Sequence, residues 1–74
     1  MEILIETGKW AAKYMEESVR IAVPAHTTVA EALEKIPLPP DETGLTVIGG
    51  KAVARDHILS DRDILKVYPM IIGG

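Results

Sequence analysis

HTTVAEALEKIP, residues 26–37, is the stretch on which the fold turns. Thr28 followed by Glu31 has the spacing of a capping box, in which each side chain bonds the other's backbone N–H. Val29, Ala32, Leu33 and Ile36 then recur at i, i+3, i+4 and i+7, which is one face of a helix. Pro37 cannot continue the hydrogen-bond ladder and stops it. The pattern predicts a single helix of about nine residues. Everything around it reads as strand, turn or loop.

Upstream, MEILIET (residues 1–7) alternates around Ile3 and Ile5 and predicts a strand. Residues 7–9 predict a turn. Residues 10–17, WAAKYMEE, fit either one helical turn or a long hairpin whose arms carry Trp10 and Tyr14; the hairpin is the expectation. In the same stretch Trp10, Tyr14 and Met15 fit a contact patch or ordinary packing. ESVRIAV (residues 17–23) places Val19, Ile21 and Val23 at period two, a second strand that Pro24 closes.

Downstream, PLPPDETG (residues 37–44) holds three prolines and predicts a stiff, extended loop with neither helix nor central strand. LTVIGGKAVA (residues 45–54) is a hairpin about Gly49-Gly50, a pair suited to a tight turn with positive φ. Val47 and Val53 are expected to face the core, with Ile58 or Leu59 anchoring the next link. Asp61-Arg62-Asp63 predicts a turn. ILKVYPM (residues 64–70) is a last strand, with Leu65 and Val67 on one face, Ile64, Lys66 and Tyr68 on the other, and Pro69 at its end.

A helix that follows a hairpin must lay its apolar stripe on one sheet face. A right-handed crossover then sets the last strand parallel to the first. The predicted architecture is an α+β β-grasp, the ubiquitin-like fold: a mixed sheet of four to five strands with one main helix on one face. Residues 1–68 form the domain and residues 69–74 a flexible tail ending in Gly-Gly.

With 74 residues, the chain is one domain and leaves no room for a deep catalytic cleft. It has no cysteine, hence no disulfide, thiolate metal site or cysteine nucleophile. Its net charge of −3 argues against a nucleic-acid partner, whose phosphates need Lys and Arg. No apolar run is long enough to span a membrane and no signal peptide is seen, so a cytoplasmic location is expected. His26 and His57 lack metal-ligand spacing and are expected at the surface. Asp61 and Asp63 read as a solvated turn rather than a metal pair. No bound cofactor or metal is expected.

The end of the sequence, YPMIIGG (residues 68–74), carries the functional signal. Met70, Ile71 and Ile72 have no role in a free monomer, and their strand fixes the root of the tail. Gly73 and Gly74 give a backbone able to thread a narrow channel.

Asp61 and Asp63, the alternating apolar residues after them, Pro69 and the final Gly73-Gly74 together resemble the end of the ThiS/MoaD sulfur-carrier proteins. TVIGGKAV resembles their strand-turn-strand, with Gly49-Gly50 in place of the common Asn-Gly. The resemblance holds in outline over the whole chain and is specific from residue 45 onward. Arg62 stands where many members have glycine, and residues 10–17 and the PLPP loop have no counterpart.

The resemblance implies that Gly74 is adenylated with ATP by an E1-like enzyme of the ThiF/MoeB type and converted to a thiocarboxylate. The sulfur would pass to an acceptor such as thiazole synthase or the large subunit of molybdopterin synthase, for thiamine or for the molybdenum or tungsten cofactor. The chain would be a co-substrate, not an enzyme. Gly73, Pro69, Met70, Ile71 and Ile72 would enter the partner's channel, and Tyr68 and Ala52 would join a contact patch on the open sheet face. Two alternatives stand beside this reading. One is a ubiquitin-like modifier joined to lysines through Gly74. The other is a β-grasp binding module without terminal chemistry.

Overall fold

The computed structural model describes residues 1–71. Its regular elements are β1 (Glu2–Glu6), β2 (Ser18–Ala22), α1 (Val29–Leu33), β3 (Thr43–Ile48), β4 (Lys51–Ala52) and β5 (Ile64–Pro69). The five strands form one sheet in the order β2-β1-β5-β3-β4. β1 and β5 run parallel at its centre, and every other pair is antiparallel. This is the mixed sheet and single α-helix of the β-grasp fold.

Period two sorts the strands. Ile3, Ile5, Leu65 and Val67 are fully buried on the helix side, where Val29, Ala32 and Ile36 meet them. Leu59, not Ile58, anchors the segment between β4 and β5. The capping box forms as expected: Glu31 N–H donates to Thr28 Oγ1 at 3.2 Å, and Thr28 N–H donates to Glu31 Oε1 at 2.9 Å. The start of α1 is also tied to the segment before β5, with Val29 N–H on His57 O and Ala30 N–H on Arg55 O, both at 2.9 Å.

Four expectations are corrected. The α-helix is shorter than the apolar spacing predicts. Glu34 N–H still reaches Ala30 O, but after it the bonding shifts to i−3, with Lys35 N–H on Ala32 O and Ile36 N–H on Leu33 O, and this tighter turn still brings Ile36 inward. Residues 10–17 are no hairpin. A 3-10 turn at Lys9–Ala11 buries Ala11, and Tyr14 and Met15 N–H both bond Ala11 O. Trp10, Tyr14 and Met15 pack as half-buried flanks of the core.

The proline-rich loop contains a 3-10 turn at Pro40–Glu42, and its last two residues, Thr43 and Gly44, already belong to β3, between β5 and β4 in the sheet. Proline at the first position of a helical turn loses nothing, because its missing N–H has no partner there in any case. The same loop buries Leu38 in the core. Lastly, Val47 does not face the core. The β3–β5 register shifts between Thr43 and Thr46, so Thr46 points inward and Val47 turns to the open face. Thr46 keeps its hydroxyl satisfied by donating to Val53 O at 2.8 Å.

Candidate functional site at the root of the C-terminal segment

β5 is the central strand that delivers the end of the chain. It is flanked on both sides, by β1 and β3, so its far end is rigid. Pro69, its last residue, pairs with Thr43. Pro69 is half-buried and lacks an N–H, which suits the final rung of a ladder. One residue on, Met70 N–H donates to Glu42 O at 3.0 Å. Ile71 then has 84% of its surface exposed.

Gly44 sits directly against this exit. A Cβ on it would lie 2.5 Å from Pro69 O and 2.8 Å from Pro69 C, so only glycine permits the approach. Arg55 supports the same edge. Its Nη2 donates to Gly44 O at 3.0 Å and reaches Thr43 Oγ1 at 3.3 Å and Thr43 O at 3.4 Å.

The sheet face opposite α1 is uncovered. On it, Ala52 pairs with Val47, and Val47 pairs with Lys66 in β5. Tyr68 follows two residues after Lys66 on the same face. Leu45, in the bulge of β3, is 54% exposed there, and Ile64 stands beside Leu4 at the other end of β5. The outward row is therefore apolar over much of its length, with charge from Lys66, Glu6 and the Arg20–Glu2 pair at 3.8 Å.

Ala52 and Tyr68 thus share the open face, while Pro69, on the side of Leu65 and Val67, leads with Met70 and Ile71 into the exit. Ile72, Gly73 and Gly74 lie outside the described residues. Leu45, Val47, Gly44 and Glu42 escaped the sequence reading. The bulge hid the first two, since it breaks the alternation from which faces are assigned. Gly44 and Glu42 act through backbone contacts made across the sheet.

The acidic turn is bonded to its own backbone surroundings. Asp61 Oδ1 accepts from Glu2 N–H and Asp63 Oδ2 from Ser60 N–H, each at 2.8 Å, so both carboxylates serve the backbone. Among the described residues, no three His, Cys, Asp or Glu side chains gather to hold a metal. His26 and His57 are exposed. No helix among the described residues is long and apolar enough to cross a membrane.

The sequence pattern of a family described as Mut7-C ubiquitin matches residues 11–72. The chain belongs to the Mut7-C ubiquitin family. This places it among ubiquitin-like proteins, as the resemblance to the ThiS/MoaD carriers implied. No curated protein matches the chain.

Two solved structures from Haloferax volcanii share the fold of this Mut7-C ubiquitin protein. SAMP1 is 19% identical with a TM-score of 0.75, and all of both chains is covered. A second structure, of small archaeal modifier protein 1, is 17% identical with a TM-score of 0.77, covering 95% of this chain and 98% of that one. At such identities the likeness is one of fold.

Proposed function

We propose that this Mut7-C ubiquitin chain is a cytoplasmic sulfur carrier whose Gly74 carboxylate is the reactive group. The carboxylate attacks the α-phosphate of ATP in an E1-like partner, releasing pyrophosphate and forming an acyl-adenylate. A sulfur nucleophile then displaces AMP and leaves a thiocarboxylate, which an acceptor synthase consumes in thiamine or molybdenum or tungsten cofactor synthesis. ATP and the catalytic groups belong to the partners. This chain supplies a rigid root, a thin end and a docking face.

The observation that carries the reading is the continuity of two uncovered apolar surfaces. Met70 and Ile71 leave the sheet exposed, beside an open face bearing Tyr68, Leu45, Val47 and Ala52. One partner that covers the face and receives the tail accounts for both. A second reading, a ubiquitin-like modifier linked to lysines through Gly74, is favoured by the modifier name of the two Haloferax structures.

One experiment separates the two. The protein is incubated with ATP, sulfide and the E1-like enzyme of its own organism, and its intact mass is recorded. Exchange of one oxygen for sulfur at Gly74, lost when Gly73 and Gly74 are deleted, is the expected result. Isopeptide-linked lysines in place of a thiocarboxylate establish the modifier. Neither product, with an enzyme active on another carrier, sinks both readings.

A further inference from the structure

Residues 9–17, the proline-rich loop and Arg55 take no part in the chemistry just proposed, yet all three converge on residues 42–44, where the outgoing chain is held. Glu42 sits at the crossing. Its carbonyl accepts the Met70 N–H at 3.0 Å, the last backbone hydrogen bond along the chain among the described residues. Its side-chain Oε1 accepts the Tyr14 hydroxyl at 3.2 Å, across 28 positions of sequence. The turn that carries Glu42 is stiff: Glu42 N–H bonds Pro39 O at 3.0 Å, and Thr43 Oγ1 donates to Pro40 O at 2.7 Å. Arg55 grips the other end of the same segment through Thr43 and Gly44.

We infer that Tyr14 and Glu42 are positioning residues that set the direction in which the chain leaves the sheet, with Arg55 bracing the opposite side. The inference rests on the reading of the C-terminal segment as the reactive tail. Among the described residues, hydrogen bonds link Tyr14 to the tail through Glu42. Its ring is held from below by the core and carries Lys13 Nζ at 5.1 Å from its centroid, so the hydroxyl has a fixed anchor. A segment that must enter a narrow channel loses conformational freedom on doing so. Fixing its first residue beforehand removes part of that loss. The 9–17 excursion then has a role in presentation as well as in covering the core.

The test compares Tyr14→Phe, Glu42→Ala, Glu42→Gln and the double variant Tyr14→Phe/Glu42→Ala, each in the full chain. Amide hydrogen exchange is followed at Met70 and, as internal references, at Leu65 and Val67 in the same strand. Tyr14→Phe is expected to speed Met70 exchange about fivefold, the effect of losing one ordinary hydrogen bond, with the references unmoved. Glu42→Gln keeps an acceptor and is expected to stay within about twofold of the parent. The double variant is expected to exceed neither single change, because both break one link. With the cognate activating enzyme, Tyr14→Phe is expected to raise KM for the chain severalfold at unchanged kcat.

Met70 exchange that stays unchanged, or that moves together with Leu65 and Val67, overturns the inference. So does a fall in Met70 protection with KM unaltered. If the parent chain is not activated at all, the proposed function fails instead, while the exchange data still decide whether Tyr14 and Glu42 hold Met70.

Discussion

At Gly44, two backbones meet with no room for a methyl group. Gly44→Ala must push Pro69 and Met70 away, weakening the Thr43–Pro69 pairing and the Met70–Glu42 bond. We expect a loss of about 1–3 kcal/mol, typical of overpacking, read as a lower urea midpoint. Activation of Gly74 should suffer more than stability does, since the displaced groups form the root of the tail. Arg62 presents the opposite case. It lies in the left-handed region at φ 70, a conformation that costs a side-chain-bearing residue roughly 1–2 kcal/mol. Its ion pair with Asp61, 3.9 Å and well exposed, offsets little of that. Arg62→Gly relieves the strain at an entropic cost of about 0.5–1 kcal/mol. The net expectation is stabilisation of about 0.5–1 kcal/mol, a rise in Tm of a few degrees by calorimetry. A lower Tm would show that the left-handed turn is not strained here.

Among the elements, α1 depends most on its ends. It is five residues long and has no basic residue in its last turn, so little helix stability is intrinsic. The capping box and the bonds to Arg55 and His57 therefore carry its start. Thr28→Ala removes the cap and should cost about 1 kcal/mol; Thr28→Ser should restore most of it. Circular dichroism melts of the pair check this, and equal melts would show that the tertiary bonds alone hold the helix. The hairpin is built to the same standard. Gly49 and Gly50 adopt φ 58 and φ 79, the positive values that a two-residue turn between right-twisted strands requires. Both features were legible beforehand, because a cap and a glycine pair act within four residues of themselves.

For the molecule as a whole, the division between the two sheet faces matters most. One is sealed by α1 and residues 9–17, and the other is left open beside the exit of the chain. A charge placed on the open face should leave the fold intact and block docking. Leu45→Glu is expected to change Tm by no more than a few degrees while reducing kcat/KM with the activating enzyme at least tenfold. An unaltered kcat/KM would place the partner elsewhere. Residues on the sealed face should behave inversely, with stability failing first.

The sequence by itself determined the succession of elements along the chain, the capped start of the helix, the glycine turn and the two faces of β5. These follow from periodicity and from chemistry between near neighbours, which any chain segment carries with it. It also marked the Gly-Gly segment, through its place after an apolar strand and its resemblance to the sulfur carriers. Tertiary structure decided the rest. The apolar spacing runs on to Ile36, but α1 tightens into i−3 bonding before it gets there. Val47 faces outward because a bulge in β3 must fit β5. Residues 10–17 coil because Ala11 fills a site in the core that no local rule reveals. The hold on Met70 by Glu42, and on Glu42 by Tyr14, joins residues far apart in the chain, and only packing brings such groups together.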